Sequence, residues 1–275
     1  MRFTGEMFLR PKVNGWSVLT TLRHFAIVSY AVPAERVRPY VPAAFALDTF
    51  SGADGNPVVW VSVVPFEDQD FRFAAAPWAK FRFGQTNYRT YVIRRATGER
   101  VVWFFGTTLA SWAVRLPQIM WGLPWHRGRM KFDCTYDPAT RRYAKYELVT
   151  KSRWGAMELK LESAGKAVSA LEGVEDFEGG MVVLTHPLVG YFRRRDGKLG
   201  RYSAWHDPMK PTEGRVVEAR IEVLDRLGLV PYAEQGSPHS VLIQHEWDFT
   251  IYLPPVRVRE VEKEEPGRLE AGLVL

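Results

Sequence analysis

The 275-residue chain has one cysteine, Cys134. No disulfide can form within it, and the thiolate clusters of structural zinc sites are excluded with it. There is no His-Glu-x-x-His and no close histidine pair at ligand spacing, so no metal site is expected. Gly179-Gly180 stands alone, which leaves no glycine-rich phosphate loop. No segment reads Gly-x-Ser-x-Gly, so a serine-hydrolase elbow is absent. No cofactor is expected. The chain also lacks internal repeats and low-complexity segments. No run approaches the ~18 uninterrupted apolar residues of a membrane span. The first residues include Arg2, Glu6, Arg10 and Lys12 and no long apolar run, so no signal peptide is expected. No membrane partner is expected, and the cytoplasm follows as the expected location.

What is present reads as an ordinary globular protein, 46% hydrophobic and 25% charged. A chain of this length buries roughly three quarters of its unfolded surface, enough for a core without staples. Nothing in the middle reads as a linker, so residues 1–255 are expected to form one domain. Residues 256–275, rich in Glu, Lys and Arg, are expected to form a weakly ordered tail. The formal charge of +6 raises the question of nucleic acid. The basic residues are scattered, however, and the densest group, Arg193-Arg194-Arg195, precedes Asp196-Gly197, a hairpin-turn signal. With no zinc finger, ribonucleoprotein motif or long basic helix beside it, a solvated hairpin tip is the simpler reading, and nucleic acid is disfavoured. A homo-oligomer is compatible with these features. Ten tryptophans in a chain that is 13% aromatic point to a thick core or an aromatic-lined cavity.

Periodicity predicts many short strands and few helices. Strands are expected at Val58 to Val64 (closed by Pro65), Phe81 to Arg94, Arg100 to Thr107, Arg129 to about Thr150, and Ala156 to Leu161. Met181 to Tyr191 and Leu199 to Trp205 flank the Asp196-Gly197 turn, and Val241 to Leu253 is stopped by Pro254-Pro255. Short helices are expected from Glu35 to Tyr40 and from Leu109 to Leu116, the latter stopped by Pro117. The strongest helix candidate is Val216 to Leu227, where Glu218, Glu222 and Arg226 share one side. The fold class is α+β, mostly antiparallel β, with a curved, barrel-like sheet enclosing a pocket and a few short helices outside.

One strand reads inside out. Side chains alternate faces along a strand, so Phe81, Phe83, Gln85, Asn87, Arg89, Tyr91 and Ile93 share one face. That face is apolar at its ends and polar in its middle, whereas the other carries arginine at both ends, as an outward face would. Gln85, Asn87 and Arg89 are therefore either structural groups at an edge or the polar floor of a ligand-sized cavity. An inward arginine needs a partner, either an internal carboxylate or an anionic ligand.

The same residues carry a family likeness. Tyr30-Ala-Val-Pro33 through Leu47-Asp48, Trp60-Val-Ser-Val-Val-Pro-Phe66 and Gln85-Thr-Asn87-Tyr-Arg89-Thr-Tyr91-Val resemble the YqjF-like proteins of the acetoacetate decarboxylase-like superfamily. Arg201-Tyr202 and His206-Asp-Pro208 resemble its carboxy-terminal half. The likeness runs from about Trp16 to Pro255 and implies a curved antiparallel barrel around a pocket. Two departures bear on chemistry. Where the decarboxylases carry Gly-Phe-Pro-Lys-Lys, with the Schiff-base lysine, this chain reads Gly122-Leu123-Pro124-Trp125-His126. Neither indole nor imidazole can condense with a ketone as a primary amine does. Lys131, the nearest lysine, has the parity opposite to Met130, Phe132 and Cys134 and is expected to be exposed. Gln85 also stands where the family pattern has glutamate.

The sequence thus implies a pocket for a small organic acid or carbonyl compound, without imine chemistry. Asn87 and Arg89 would orient a carboxylate or carbonyl oxygen, Gln85 and Tyr91 would bond its body, and Trp125 would line it. His126 is the candidate for proton transfer, against the alternative of a histidine at a loop end. His245 shares the parity of Val241, Ile243, Trp247, Phe249 and Ile251 and is expected to point inward. His186 and His206 adjoin turns and are expected to bond backbone groups. A binding module that kept the pocket and lost the reaction is the alternative to an enzyme.

Overall fold

The computed structural model describes residues 2–258 apart from 53, 113 and 114. Strands dominate because apolar and β-branched residues alternate along most of the chain. The amino-terminal part supplies β1 (Val18–Pro33), β2 (Phe45–Leu47), β3 (Thr49–Ser51), β4 (Pro57–Phe73), β5 (Phe81–Arg94) and β6 (Arg100–Leu109). A meander follows: β7 (Trp125–Asp137), β8 (Arg142–Ser152) and β9 (Met157–Ala167). The remainder supplies β10 (Val189–Arg193), β11 (Leu199–Trp205), β12 (Thr212–Ile221) and β13 (Ser240–Val258). The helices are short: α1 (Ala34–Val37), α2 (Arg115–Trp121), α3 (Phe177–Thr185) and α4 (Glu222–Arg226).

The strands close on themselves as two joined rings, not as one simple barrel. The wall β13-β1-β4-β5-β6 is common to both. The meander and β12 close it on one side, and β10 with β11 closes it on the other. The wall splays to allow this: β6 pairs with β10 through Val102–Phe104 and with β7 through Thr107–Leu109. Likewise β13 meets β12 near Leu242 and β11 from Thr250 onward. Each ring has its own core. Ala26, Val28, Val63, Tyr88 and Leu148 belong to the first, while Leu22, Phe25, Val64, Phe66, Val102 and Trp247 belong to the second.

The two long strands of the wall exchange faces at His24 and His245. On β1, Ala26 and Val28 face the first core, yet Leu22, of the same parity, faces the second. On β13, Val241 and Ile243 face the first core, yet Trp247 faces the second. His24 takes a left-handed backbone conformation (φ 52°) at this point, and β1 slips in register against β4 between Arg23 and Val28. A bulge with locally increased twist accounts for both.

Several sequence expectations are corrected. β4 runs through Pro65 to Phe73, because residues 64–66 have no partner on β1, which is bulged away there. The missing N–H of proline therefore breaks no bond. β13 likewise runs through Pro254-Pro255 to Val258, and its pairing with β11 skips from Tyr252 to Val256. The expected tail from 256 thus begins inside the sheet, and residues 259–275 lie outside the described residues. Leu109 ends a strand, and Pro117 sits in the first turn of α2, where proline is tolerated. Met181–Thr185 belongs to α3. Val216–Ile221 is strand, with Glu218 reaching across to Lys160 at 2.6 Å, and only Glu222–Arg226 is helical. The even face of β5 is not outward: Thr86, Tyr88, Thr90 and Val92 are fully buried against the first core. The Asp196-Gly197 hairpin is present, but only Arg193 and Arg195 are solvated; Arg194 is buried and donates to the Trp121 carbonyl.

Candidate functional site

The second ring holds a cavity of about 80 Å3 between the shared wall and β10–β11. It is small beside the roughly 300–1,000 Å3 of drug-sized ligand sites. Its polar floor is one face of β5, where Gln85, Asn87 and Arg89 follow at alternate positions. Phe25, Phe66, Phe104, Tyr202, Trp247 and Phe249 form aromatic walls. Further polar residues in the lining are Asp68 from β4, Thr185 at the end of α3 and His206 from the segment after β11. No lysine lines it among the described residues.

Hydrogen bonds orient the floor. Asn87 Oδ1 accepts from Gln85 Nε2 and from the Thr107 hydroxyl, both at 2.9 Å. Two donors on one oxygen fix the amide's orientation and turn Nδ2 away as a donor. Arg89 Nη2 donates to the Leu184 carbonyl at 3.0 Å and to the Tyr91 hydroxyl at 3.4 Å. Leu184 lies in the last turn of α3, whose exposed carbonyls favour a cation. The Tyr91 proton goes to the same carbonyl at 3.2 Å, so Tyr91 accepts from Ser62, and Ser62 in turn accepts from Ser29. This hydroxyl chain holds Tyr91 behind Arg89, outside the cavity lining. Arg89 Nε is buried and has no acceptor.

Asp68 is 1% exposed. The Thr20 hydroxyl donates to its Oδ1 at 2.9 Å, while Oδ2 is buried without a partner. Burial raises the carboxyl from 3.8 to about 7; the Thr20 bond pulls it back, and Glu67 nearby pushes it up again. His206 is packed between Trp247 and Phe249, with ring centroids 4.2 and 4.6 Å away. Its Nδ1 donates to the Asp207 carbonyl at 2.9 Å. Burial lowers its pKa to about 3, so the ring is neutral.

The structure therefore brings Gln85, Asn87 and Arg89 together, with Tyr91 directly behind them. It separates the others. Trp125 pairs with Thr107 and packs against the second core without reaching the lining. His126 pairs with Thr108, one residue on, and so faces the opposite side of the sheet, stacked on Trp154 at 4.1 Å. Burial, and then the charge of Arg195, lowers His126 to about 4. A neutral imidazole is a competent base, but this one looks away from the cavity. His245, beyond the face exchange, stacks on Tyr136 at 3.8 Å, with Nδ1 3.0 Å from the Tyr143 hydroxyl. His186 and His206 bond backbone carbonyls as expected. Lys131 is exposed, whereas Met130, Phe132 and Cys134 pack against the first core. Asp68 and the cavity role of His206 are absent from the sequence reading. Continuing the parity of Val64 and Phe66 past Pro65 would have pointed to Asp68.

This architecture is the acetoacetate decarboxylase-like fold. An acetoacetate decarboxylase-like enzyme from Sphingomonas wittichii RW1 superposes with a TM-score of 0.58 at 13% identity, covering 95% of this chain and all (100%) of that one. The enduracididine biosynthesis enzyme MppR, complexed with the condensation product of pyruvate and imidazole 4-carboxaldehyde, gives 0.57 at 12% identity, over 91% of this chain and 90% of its own. Acetoacetate decarboxylase from Legionella pneumophila gives 0.54 at 13% identity, over 92% and 94%. The chain belongs to the DUF2071 family, described as an uncharacterized conserved protein, whose model matches residues 20–247. No curated protein matches the chain by sequence. Among the described residues, no helix is long and apolar enough to cross a membrane.

Proposed function

We propose that the chain binds a small, slender organic acid carrying a carbonyl group in the cavity of the second ring, without forming an imine. The observation that carries this reading is Arg89, a cation in the lining between aromatic walls, whose Nε is buried without an acceptor. A ligand carboxylate would satisfy it with charge-assisted hydrogen bonds. Asn87 Nδ2 would donate to the carbonyl oxygen, and the aromatic walls would cover the chain. A structural neighbour lends support: MppR has been captured complexed with pyruvate.

A thermal-shift screen of short oxo acids, dicarboxylates and aromatic acids tests it. A ligand at a hundred times its dissociation constant adds about 2.7 kcal/mol, or roughly 5–10 °C for a chain of this size. Arg89→Met keeps a stem of similar length and should abolish the shift while the protein stays folded. Survival of every hit in that variant would move the anion site elsewhere.

A further inference from the structure

The fold gathers on one face cations that lie apart in the sequence. Between Glu99 and Asp133 the chain carries no acidic residue, and that stretch holds α2 and the first half of β7. The outward face of β7 presents Arg127, Arg129 and Lys131, all exposed. Arg129 stands directly opposite Lys151 on β8, and Lys131 opposite Val149. Arg153 is exposed just past the end of β8. Like charges directly opposite one another on a sheet repel. Among the described residues none of these five cations has an ion-pair partner. The carboxylates that border them, Asp133 and Glu147, both pair with Lys145 instead, at 2.8 and 3.5 Å.

An exposed apolar group adjoins the cations. Trp112 is 76% exposed and Ile119 79%, and Met120 is half exposed. Trp112 shares a surface groove of about 280 Å3 with Arg127 and Arg129. From Trp112 the chain enters α2 and then β7. Trp121 and Trp125 pin this segment to the second core, and Gln118 donates to the Trp125 carbonyl. Trp125 has the parity of Arg127 and Arg129, so α2 lies on the side of β7 that carries the cations. Large apolar side chains grouped in water beside polar ones mark an interaction site.

We infer that this face is a peripheral contact with an anionic lipid bilayer. The sequence excludes an apolar span, and a contact of this kind needs none. Arg127, Arg129, Lys131, Lys151 and Arg153 meet the lipid phosphates, each drawn by the negative surface potential. Trp112 sits at the headgroup level, where indoles concentrate. Ile119 and Met120 reach the boundary of the acyl chains. A nucleic acid would use the cations and could stack on Trp112, but it would leave Ile119 and Met120 in water. A bilayer uses all three kinds of group. The cavity of the second ring takes no part, so this contact stands or falls independently of anion binding there.

Flotation with phosphatidylcholine vesicles, with and without phosphatidylglycerol, tests the assignment. The protein should float with the anionic vesicles only, and less of it as salt is raised. Each cation near such a surface strengthens binding roughly fivefold, so Arg129→Gln with Lys151→Gln should weaken it about thirtyfold. Trp112→Ser with Ile119→Ser should weaken it about tenfold or more. All four side chains are exposed, and both variants should melt within a few degrees of the natural protein. Lys166→Gln with Arg215→Gln removes the same net charge from cations already paired with Glu213 and Glu162, and should change binding less than about twofold. Failure of the natural protein to float with anionic vesicles would overturn the inference, as would equal losses in the two charge variants. A single-stranded oligonucleotide bound by the cations, with vesicles ignored, would assign the face to nucleic acid instead. An oligomer that Trp112→Ser with Ile119→Ser dissociates, again without vesicle binding, would assign it to a second copy of the chain.

Discussion

Replacing Asp68 by asparagine should stabilise the protein at pH 8, although it removes a buried, hydrogen-bonded side chain. The folded carboxyl titrates near 7 against an ordinary 3.8, with burial as the main cause. Its unfolded counterpart is ionised throughout that window. A group whose folded pKa is raised contributes its stability fully below the unfolded value and loses it as pH climbs through the folded one. Each pH unit between the two values is worth about 1.4 kcal/mol, so the ionised carboxylate is a burden of up to about 4 kcal/mol at pH 8. Water entering the cavity would reduce this, and about 2–4 kcal/mol is the reasonable range. Asparagine has nearly the same shape, keeps an oxygen for Thr20, and never ionises. Urea unfolding of both proteins at pH 5, 6, 7 and 8 isolates the effect, since other titrating groups cancel in the difference. Variant stability minus wild-type stability should grow by about 2–3 kcal/mol from pH 5 to pH 8. A difference that stays constant within about 0.5 kcal/mol would show that Oδ2 is hydrated or paired in solution, and that the carboxyl is not poised near neutral pH.

Three further outcomes are expected. Burial, and then His245, lowers His24 to about 4, so its contribution to stability is lost as pH falls from about 6.5 towards 4. His24→Asn, which tolerates the left-handed backbone, should flatten that acid limb by about 1–3 kcal/mol at the cost of the Tyr143 hydrogen bond at pH 7. Ending the chain after Pro255 removes the pairs of Val256, Arg257 and Val258 with β11, and should lower the melting temperature by several degrees more than ending it after Val258; equal melting would show that this end of β13 adds nothing. Borohydride reduction with pyruvate or acetoacetate should leave the mass of the native protein unchanged, because no lysine among the described residues lines the cavity; a stoichiometric adduct on one lysine, above that of denatured protein, would refute this.

The parts of the site legible in the sequence were those that follow from covalent geometry within one element. Parity along Phe81–Arg94 placed Gln85, Asn87 and Arg89 on one face, and the strand has those bounds. The failures have a common physical origin in strand irregularities, which break the local rules that parity and proline positions rely on. Pro65 reads as a terminator, yet it sits where β1 bulges away, so β4 continues to Asp68. His245 shares a parity with Trp247, yet the wall exchanges faces at that residue, so one looks towards Tyr136 and the other into the cavity. Glu222 and Arg226 do form an i,i+4 ion pair, but the neighbouring Glu218 pairs across strands, and only tertiary pairing separates the two cases. The same bulge does more than defeat the sequence reading. Leu22 and Phe25 on β1, Asp68 on β4 and Trp247 on β13 flank the His24–His245 exchange, and all four line the cavity. A regular wall would keep Leu22 and Trp247 in the first core with Ala26 and Ile243. The distortion that hides Asp68 from a periodic reading is thus what turns aromatic and apolar side chains around it, removes it from water and raises its pKa.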